Sequence, residues 1–290
     1  MHDVSLSIIL PAKNEAPTIG RLLDHIAQLY PQAERLVVDD GSTDGTPDIA
    51  IARGARVVSH PYSLGNGAAV KTGARAARGE VLVFMDADGQ HDPADIPRLL
   101  APLDAGYDMA VGARGKDSQA SFGRRLANGV YNWFASLMTG FKIQDLTSGF
   151  RAVRAESFRR FLYLLPNGFS YPTTITMAFF RSGNPIQYVP ITAARRGSDR
   201  RSHIHPLKDG IRFLLIIFKV ATLYAPLKLF FPVSVAFFLA GSGHYLYTFT
   251  TMHRFTNMSA LLFSASVLVL MMGLVSEQIT AVSYRDGDGD

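Results

Sequence analysis

Carboxylate side chains follow three short apolar runs in this sequence, at points where β-strands would end. The first run leads into Pro11-Ala-Lys-Asn-Glu15, the second into Asp39-Asp-Gly-Ser-Thr-Asp-Gly-Thr46, and a later one into Asp86-Ala-Asp-Gly-Gln90. Three acidic strand ends on one edge of a sheet would repel one another unless a positive charge lay between them. Because oxygen ligands suit Mg²⁺ and Mn²⁺, and Mg²⁺ commonly shares its shell with substrate phosphates, the pattern predicts a divalent metal ion and a phosphorylated ligand.

The spacing of Asp86 and Asp88 puts both carboxylates on the same side of an extended segment, because strand side chains alternate. Both can then reach one complex of a metal ion with a nucleotide. A single acidic strand end is also typical of an ordinary turn or helix cap. For Asp40 and Asp44, a cap on the helix that starts near Thr46 is therefore an equal alternative to ligand binding.

Two further features lie near these motifs. Gly65-Asn-Gly-Ala-Ala-Val-Lys71 is glycine-rich but is not a Walker A loop, because Val70 and not glycine precedes the lysine. We interpret it as a tight turn that opens a helix near the nucleotide. His91 follows the Asp-x-Asp motif directly, and we expect it to contact solvent or Asp92 and not a metal ion.

Arginines elsewhere in the chain predict a second anionic ligand. Arg124 and Arg125 fall in the first turn of a predicted helix that runs to about Met138, where cations oppose the helix macrodipole. They make sense there if the helix start and the arginines jointly receive an anion such as a phosphate. Arg114, after the fifth predicted strand, would point into the same region. The alternative for Arg124 and Arg125 is a solvated surface.

The elements that must position these groups alternate between strand and helix. Apolar runs predict five buried parallel strands, at Leu6–Leu10, Arg35–Val38, Arg56–Val58, Val81–Met85 and Met109–Val111. Helices are predicted between them, at Pro17–Leu29, Thr46–Arg53, Gly67–Arg78 and Pro93–Leu103. This alternation is typical of an α/β fold whose mostly parallel sheet is covered on both faces, and such sheets bind ligands beyond the carboxyl ends of their strands.

The chain changes character near its carboxyl end. No Asp, Glu, Lys or Arg occurs from Leu229 to His253 or from Phe255 to Ser276. A helix that crosses about 30 Å of hydrocarbon needs about 20 residues. We therefore predict a transmembrane hairpin with spans at about 229–251 and 258–280. The alternative, a pair of buried helices in a globular core, would usually show a polar face.

Basic residues are concentrated on one side of this hairpin. Eight lie between Arg195 and Lys228, whereas the predicted hairpin tip holds Arg254 alone. By the positive-inside rule, the amino-terminal domain faces the cytoplasm. Residues 206–226 predict an amphipathic helix whose Lys and Arg stripe lies among anionic lipid headgroups. The predicted organisation is a domain at 1–205, an interfacial helix at 206–226, and at 227–290 the hairpin with a short polar tail.

Composition excludes several classes of protein. With 48% hydrophobic and 18% charged residues, the chain is not intrinsically disordered. It has no cysteine, which excludes disulfide frameworks and thiolate metal sites. The net charge of +5 is concentrated beside the predicted spans, which indicates a membrane surface and phosphates as partners and no nucleic acid. The amino terminus lacks the basic and apolar regions of a signal peptide.

Six motifs, in this order and spacing, resemble those of the family 2 glycosyltransferases. They are the three acidic motifs, the glycine-rich turn, Gly112-Ala-Arg114 and Asp145-Leu-Thr-Ser-Gly-Phe-Arg151. Within the family the chain looks like the polyprenyl-phosphate sugar synthases, such as dolichol-phosphate mannose synthase and bacterial undecaprenyl-phosphate glucosyltransferases. The resemblance covers essentially the whole chain, including the two spans. It implies a GT-A fold, with a Rossmann-like, mostly parallel sheet in the catalytic domain.

The resemblance also implies roles for individual residues. It assigns the metal ion to Asp86, Asp88 and Gln90. It assigns the nucleotide sugar to Pro11, Ala12, Asn14, Glu15, Asp39, Asp40, Gly65, Lys71, Asp86, Ala87, Asp88 and Gln90. The catalytic groups would be Asp86, Asp88, Asp145 and Arg114. Together with the arginine pattern, it assigns the acceptor phosphate to Arg114, Arg124, Arg125, Arg151 and Arg200.

Two of these assignments leave alternatives open. The segment from Arg195 to His203 stands where related enzymes commonly carry an Arg-Gly-Ser-Lys type loop over the diphosphate, but its spacing differs, and positive-inside charge alone would explain its arginines. Asp145 stands about where related sugar-to-hydroxyl transferases put a general base. A phosphate acceptor needs none, because its second pKa is about 6. Asp145 would then orient a sugar hydroxyl, or hold Arg151 or another arginine.

The sequence therefore predicts an inverting, metal-dependent glycosyltransferase that uses Mg²⁺ or Mn²⁺. It would move a sugar from a UDP- or GDP-linked donor to a polyprenyl phosphate at the cytoplasmic membrane face. Related enzymes assemble through their membrane helices, so a homo-oligomer is a further expectation. The alternatives are a glycan or glycolipid acceptor, a silent membrane scaffold, or a nucleotidylyltransferase. The last would carry a glycine- and arginine-rich loop in place of Pro11–Glu15.

Overall fold

A computed structural model describes most of the chain, and the residues that it describes are 5–114, 129, 132–133, 135–168, 171–191, 218, 221–222 and 224–285. The chain forms two compact units, residues 1–205 and 206–290. Apart from a few positions, the predicted interfacial helix at 206–226 lies outside the described residues.

The first unit is built on a seven-stranded sheet. Its strands are β1 (Leu6–Ala12), β2 (Glu34–Asp39), β3 (Arg56–Ser59), β4 (Val81–Phe84), β5 (Met109–Arg114), β6 (Arg151–Arg154) and β7 (Ile186–Ile191). Their order is β3-β2-β1-β4-β6-β5-β7. All neighbouring pairs are parallel except those of β6, which is antiparallel to β4 and β5. The predicted α/β fold with a mostly parallel sheet is confirmed.

Strands β6 and β7 were missing from the sequence prediction, and both lack a plain apolar run. Strand β6 reads Arg-Ala-Val-Arg, with a charge at each end. Strand β7 contains Pro190, which a ladder tolerates because β7 lies at the edge of the sheet.

Helices follow most of the strands. They are α1 (Ala16–Leu29), α2 (Thr46–Ala52), α3 (Asn66–Ala76), α4 (Ile96–Asp104), α5 (Ala155–Arg159) and α6 (Tyr171–Arg181), with short 3₁₀ turns at Pro93–Asp95 and Leu162–Leu164. Helix α1 shows why the pattern predicts helix: Ile19, Leu22, Leu23 and Ile26 recur at helical spacing and are all buried. The predicted helix from Pro93 is split, because Asp92 caps a 3₁₀ turn before α4 begins.

One row of side chains crosses the centre of the sheet on a single face. The strand register aligns its members in adjacent strands, and all of them are buried: Leu36, Ile9, Phe84, Arg151, Val111 and Tyr188. Arg151 is the one charged member of this row. It therefore lies inside the core of the unit and not on the sheet edge.

The second unit contains two long apolar helices, α7 (Pro226–Met252) and α8 (Asn257–Arg285), which are candidate membrane spans. They pack against each other through small and hydroxyl side chains. The hydroxyls of Ser234 and Ser266 each donate to the other residue's carbonyl at 2.9 Å. Gly241 lies where any added carbon would meet Phe263 at 3.2 Å. Many large apolar side chains on the outer faces are exposed, as expected for helices surrounded by lipid.

Candidate active site

Three of the acidic strand ends lie side by side at the carboxyl edge of the sheet. Ala12, the last residue of β1, pairs with Asp39, the last residue of β2. Strand β4 lies on the other side of β1, and Asp86 follows its last residue by two positions. Pro11 and Ala12 thus occupy the middle of this edge, with Asp39 on one flank and the Asp-x-Asp motif on the other.

The loop after β1 is tied to the loop after β2. Asn14 has a left-handed backbone (φ 56°), its backbone N–H donates to Ser42 Oγ at 2.9 Å, and its Oδ1 accepts from the Thr43 N–H at 2.9 Å. Asp44 accepts from both the N–H and the hydroxyl of Thr46 at the start of α2. Asp44 therefore holds the start of α2 through Thr46, while Gly45 occupies the N-cap position.

Asp40 is buried and faces the interior instead of the open edge. It accepts a 2.8 Å hydrogen bond from His60 Nδ1, a 2.7 Å bond from Ser63 Oγ, and bonds from the N–H groups of Leu64 and Gly65. Burial would raise the pKa of Asp40, but these hydrogen bonds outweigh it and lower the pKa from its ordinary value. The predicted contact with the nucleotide is corrected: Asp40 holds the 63–65 turn and does not reach out to a ligand.

The glycine-rich turn opens α3 as predicted, and it is packed against the loop at 165–167. A carbon added at Gly67 would lie 2.0 Å from Pro166 O, and one at Gly65 would lie 2.5 Å from Asn167 O. Lys71 Nζ donates to Leu165 O at 3.1 Å and to the Asn167 side chain. Its ammonium group thus holds this loop, and the role predicted for Lys71 in binding the nucleotide stays a prediction.

The Asp-x-Asp motif lies in the loop after β4, with Asp86 and Asp88 both partly exposed. Gln90 donates to Asp88 twice, from its backbone N–H at 3.1 Å and from Nε2 at 2.8 Å. Ala87 is buried, and its carbonyl accepts from Thr18 Oγ at 2.9 Å, which fixes the motif to α1. Nothing in the sequence singled out Thr18, since a threonine in a first helical turn is common.

The side chains of this loop carry ligand atoms that suit a hard divalent cation. Two carboxylates and one amide supply oxygen ligands, which suit Mg²⁺ or Mn²⁺. In the described part of the chain, no group of three His, Cys, Asp or Glu side chains is arranged to hold a metal ion without help. An ion at Asp86 and Asp88 would therefore take its remaining ligands from water or from a substrate, and phosphate oxygens are of the right kind.

Arg114 and Asp145 form a bidentate ion pair on the other side of the site. Arg114 Nε lies 2.8 Å from Asp145 Oδ2 and Nη2 lies 3.0 Å from Oδ1. Thr147 joins the pair, because its hydroxyl accepts from Arg114 Nη2 at 2.6 Å and donates to Asp145 Oδ1 at 3.1 Å. Burial would raise the pKa of Asp145, but the hydrogen bonds and charge of Arg114 outweigh burial and lower it.

The arginines that were predicted to bind the acceptor phosphate lie in different environments. Arg114 is partly exposed at the site, whereas Arg151 is completely buried beneath it. The assignment of Arg151 to the acceptor phosphate is therefore corrected, because a side chain enclosed by the core cannot touch a ligand at the edge. Arg124, Arg125 and Arg200 lie outside the described residues.

His91 lies in the site region and not in solvent, contrary to the expectation from sequence. It is 7% exposed, and its ring stacks on Phe150 with centroids 4.9 Å apart. Burial lowers its pKa, and Asp88, Arg114 and Asp145 are close enough to influence it. Its ring is thus buried near both the Asp-x-Asp loop and the Arg114–Asp145 pair. Nothing in its sequence context distinguished it from a loop histidine.

A cavity of about 770 Å³ adjoins Asp88. One wall comes from α1, through Thr18, Arg21, Leu22 and His25, and the other from the loop between Asp88 and Asp95. The metal motif therefore borders an open volume large enough for a small ligand.

Comparison with known proteins identifies two regions of the chain. Residues 7–162 match glycosyl transferase family 2, and residues 225–282 match the GtrB C-terminal hairpin. The chain is 30% identical to the glycosyltransferase AglJ of Haloferax volcanii, over 96% of this chain and 94% of that protein. It is 34% identical to the polyprenol monophosphomannose synthase of Mycolicibacterium smegmatis, over 65% of this chain and 77% of that protein.

A solved structure shares the fold. The glucosyl-3-phosphoglycerate synthase of Mycobacterium tuberculosis, in complex with Mn²⁺ and uridine-diphosphate-glucose, superposes with a TM-score of 0.61. The two chains are 26% identical, and the match covers 76% of this chain and 78% of that one.

Proposed function

Because this chain belongs to glycosyltransferase family 2, we propose that it transfers a sugar from a UDP- or GDP-linked donor to the phosphate of a polyprenyl phosphate. The transfer would invert the anomeric centre, depend on Mg²⁺ or Mn²⁺, and take place at the cytoplasmic face of the membrane. The observation that carries the proposal is the partly exposed Arg114, held rigidly beside the metal motif.

The donor would lie along the acidic edge, from Asp39 beside Ala12 to the Asp-x-Asp motif. The diphosphate gains negative charge as the sugar leaves, and a divalent ion held by Asp86, Asp88 and Gln90 would neutralise part of it. The Mn²⁺ and uridine-diphosphate-glucose bound by the structural neighbour support a donor and a metal of this kind. The nucleotide base, uracil or guanine, would bind near Glu15 and Asp39.

The acceptor phosphate would approach Arg114. Two of its nitrogens, Nε and Nη2, are committed to Asp145 and Thr147, and Nη1 takes part in none of these hydrogen bonds. The ion pair fixes the orientation of the guanidinium, so one nitrogen can be presented to an anion with little loss of side-chain entropy. The names of the relatives, which include an undecaprenyl-phosphate mannosyltransferase, support a lipid-linked phosphate as that anion.

No general base is needed for this acceptor. A phosphate monoester is largely a dianion at neutral pH, because its second pKa is about 6, and its oxygen can attack without losing a proton. Asp145 is also unsuited to the role of a base. Both of its oxygens already accept hydrogen bonds, and its pKa is lowered. Its role in this proposal is to hold Arg114.

The carboxy-terminal hairpin would hold the catalytic unit at the membrane, where a polyprenyl phosphate is located. The two apolar helices and the match to the GtrB hairpin indicate a membrane protein. The excess of basic residues between Arg195 and Lys228 over the hairpin tip supports a cytoplasmic catalytic unit. Nucleotide sugar from solution and polyprenyl phosphate from the bilayer would meet at this surface.

A screen of the full-length protein tests the proposal. Purified protein is incubated with radiolabelled UDP- and GDP-sugars, undecaprenyl phosphate in vesicles, and Mg²⁺ or Mn²⁺, and label is measured in the organic extract. We expect one donor to yield a lipid-linked product that EDTA abolishes. Unphosphorylated undecaprenol is the matched control. Transfer to undecaprenol or to an added glycolipid, with none to undecaprenyl phosphate, would overturn the proposal in favour of the alternative acceptor.

A further inference from the structure

Arg151 carries a buried positive charge in an otherwise apolar row of the sheet. Its side chain is 0% exposed, and Phe84 and Val111 flank it in the neighbouring strands. In the described part of the chain no carboxylate lies within ion-pair distance of it, and Asp145 and Asp86 act on its charge from farther away. Burying a charge is unfavourable unless hydrogen bonds and opposite charges compensate. The hydrogen bonds of this guanidinium are therefore contacts that an apolar side chain could not make.

The guanidinium joins two pieces of backbone that enter the site region. Arg151 Nη2 donates to Ser148 O, in the loop that precedes β6. Nη1 lies 3.4 Å from both Pro172 O and Thr176 Oγ in α6. The guanidinium also lies over the ring of Tyr171, 5.8 Å from its centroid. It thereby links the 145–150 loop to the first turns of α6.

The residues on either side of Ser148 contact the two halves of the site. Thr147 binds Asp145 through its N–H and its hydroxyl, and it also accepts from Arg114. Gly149 packs against the other half, since a carbon added there would lie 3.0 Å from Asp86 Oδ2. One short loop thus touches both the Arg114–Asp145 pair and the first carboxylate of the metal motif.

We propose that Arg151 is a positioning residue that fixes the distance between the donor-side carboxylate Asp86 and the acceptor-side Arg114. It acts through Ser148 O, which lies between the residues that contact these two groups. The inference rests on the proposed function, in that it names the two substrates whose reacting groups must be aligned. It replaces the direct contact with phosphate that the sequence predicted for Arg151.

Arg151→Met in the full-length protein tests this role, with Arg154→Met as the matched control. Arg154 is in the same strand but exposed, and it donates to Leu103 O. Methionine fills a similar volume without the charge, so we expect the unfolding temperature of Arg151→Met to stay within about 5 °C of wild type. Misalignment should nevertheless lower kcat about 100-fold. The acceptor KM should rise about tenfold, and nucleotide affinity should stay within about threefold.

Arg151→Lys and Thr176→Val extend the test if Arg151→Met folds poorly. Lysine keeps the charge but cannot span both carbonyls, so it should remain at least about tenfold below wild type in kcat. Thr176→Val removes one acceptor of the guanidinium and should raise the acceptor KM by about threefold.

Two results would overturn the positioning role. The first is an Arg151→Met or Arg151→Lys protein with wild-type kcat and acceptor KM. The second is an activity loss that only follows the folded fraction, with unchanged constants per folded molecule. The kinetic constants of wild type and variants are compared with whichever acceptor the wild type uses. If wild type turns over a glycolipid and no polyprenyl phosphate, the proposed function fails while the Arg151 variants still report on alignment.

Discussion

Asp88 and Asp145 are the same residue type on two sides of one site, and their partners make them chemically different. Asp88 is partly exposed, and Gln90 donates to it from neutral N–H groups. Asp145 is buried and bonded twice to the cationic Arg114. A neutral donor leaves the negative charge of a carboxylate intact, whereas a bidentate guanidinium neutralises it. Asp145 therefore suits the task of orienting an arginine, and the exposure of Asp88 at the cavity suits it to a metal ion.

This difference explains why the role of Asp145 can be wrongly predicted from sequence. A carboxylate at the position of Asp145 resembles a general base when only residue types and order are known. Its hydrogen bonds and lowered pKa show a group that is already committed. Variants on the donor side and on the acceptor side test this contrast.

Asp88→Asn should have the largest effect, because it removes the charge that the donor side offers to a metal ion. We expect transfer to fall about 1,000-fold with the fold intact, and Asp86→Asn to behave similarly. Turnover in Mn²⁺ and thermal unfolding are measured on purified protein. Asp104→Asn, at an exposed position in α4 outside the cavity lining, is the control. Retention of more than a tenth of wild-type turnover by Asp88→Asn would contradict the metal assignment.

Removal of residues 206–290 takes away the membrane hairpin and leaves both sides of the site in the remaining unit. The donor side lies within the compact unit 1–205, so the truncated protein should still bind nucleotide in the presence of a metal ion. Transfer to polyprenyl phosphate embedded in vesicles should fall about 100-fold, because the anchor no longer brings the unit to the lipid. Equal rates for truncated and full-length protein on the embedded acceptor would show that the anchor has no such role.

Asp145→Asn should lose about 10- to 100-fold in kcat/KM, which is about 1.4 to 2.7 kcal/mol of transition-state stabilisation. Arg114→Ala should mainly raise the acceptor KM, and the double variant should be little worse than Arg114→Ala, because the two side chains act as one unit. The acid limb of the Asp145→Asn rate profile should match that of wild type, since the acceptor itself titrates near pH 6. Complete inactivation with loss of that limb, in a variant that binds both substrates, would identify Asp145 as a base.

Asp40→Asn should have the smallest effect on transfer, because Asp40 serves the fold of the donor side. It should lower the free energy of unfolding by about 2 kcal/mol, since the N–H groups of Leu64 and Gly65 lose a charged acceptor. Asp104→Asn, at an exposed position in α4, is the control.

The stability difference between wild type and Asp40→Asn should depend on pH in a defined direction. Hydrogen bonding lowers the pKa of Asp40 despite its burial, so the ionised form stabilises the fold. The stability that Asp40 contributes is complete above the ordinary pKa of about 3.9 and is lost as pH falls through the lowered value. Denaturant titrations at pH 6 and at successively lower pH measure it. A difference that grows toward acid would contradict this account.

The sequence by itself determined the strands and helices of the amino-terminal half and the position of its acidic motifs. Apolar runs of β1, β2 and β4 end where Pro11, Asp39 and Asp86 begin, and parallel strands necessarily bring such ends to one edge. The two apolar stretches determined the helical hairpin in the same direct way, because a long run without charges has few stable alternatives. These features follow from local periodicity and from the order of elements.

Only the tertiary structure decided what each polar side chain does. Lys71 bonds to Asn167, Arg114 bonds to Asp145, and Gly149 packs on Asp86, and each of these pairs is far apart in sequence. Antiparallel β6, which enters between β4 and β5, places Arg151 in the core and the preceding loop against the site. A charged residue in a motif can be a ligand, a cap or a buried support. The choice depends on partners that chain topology brings together, which local sequence does not encode.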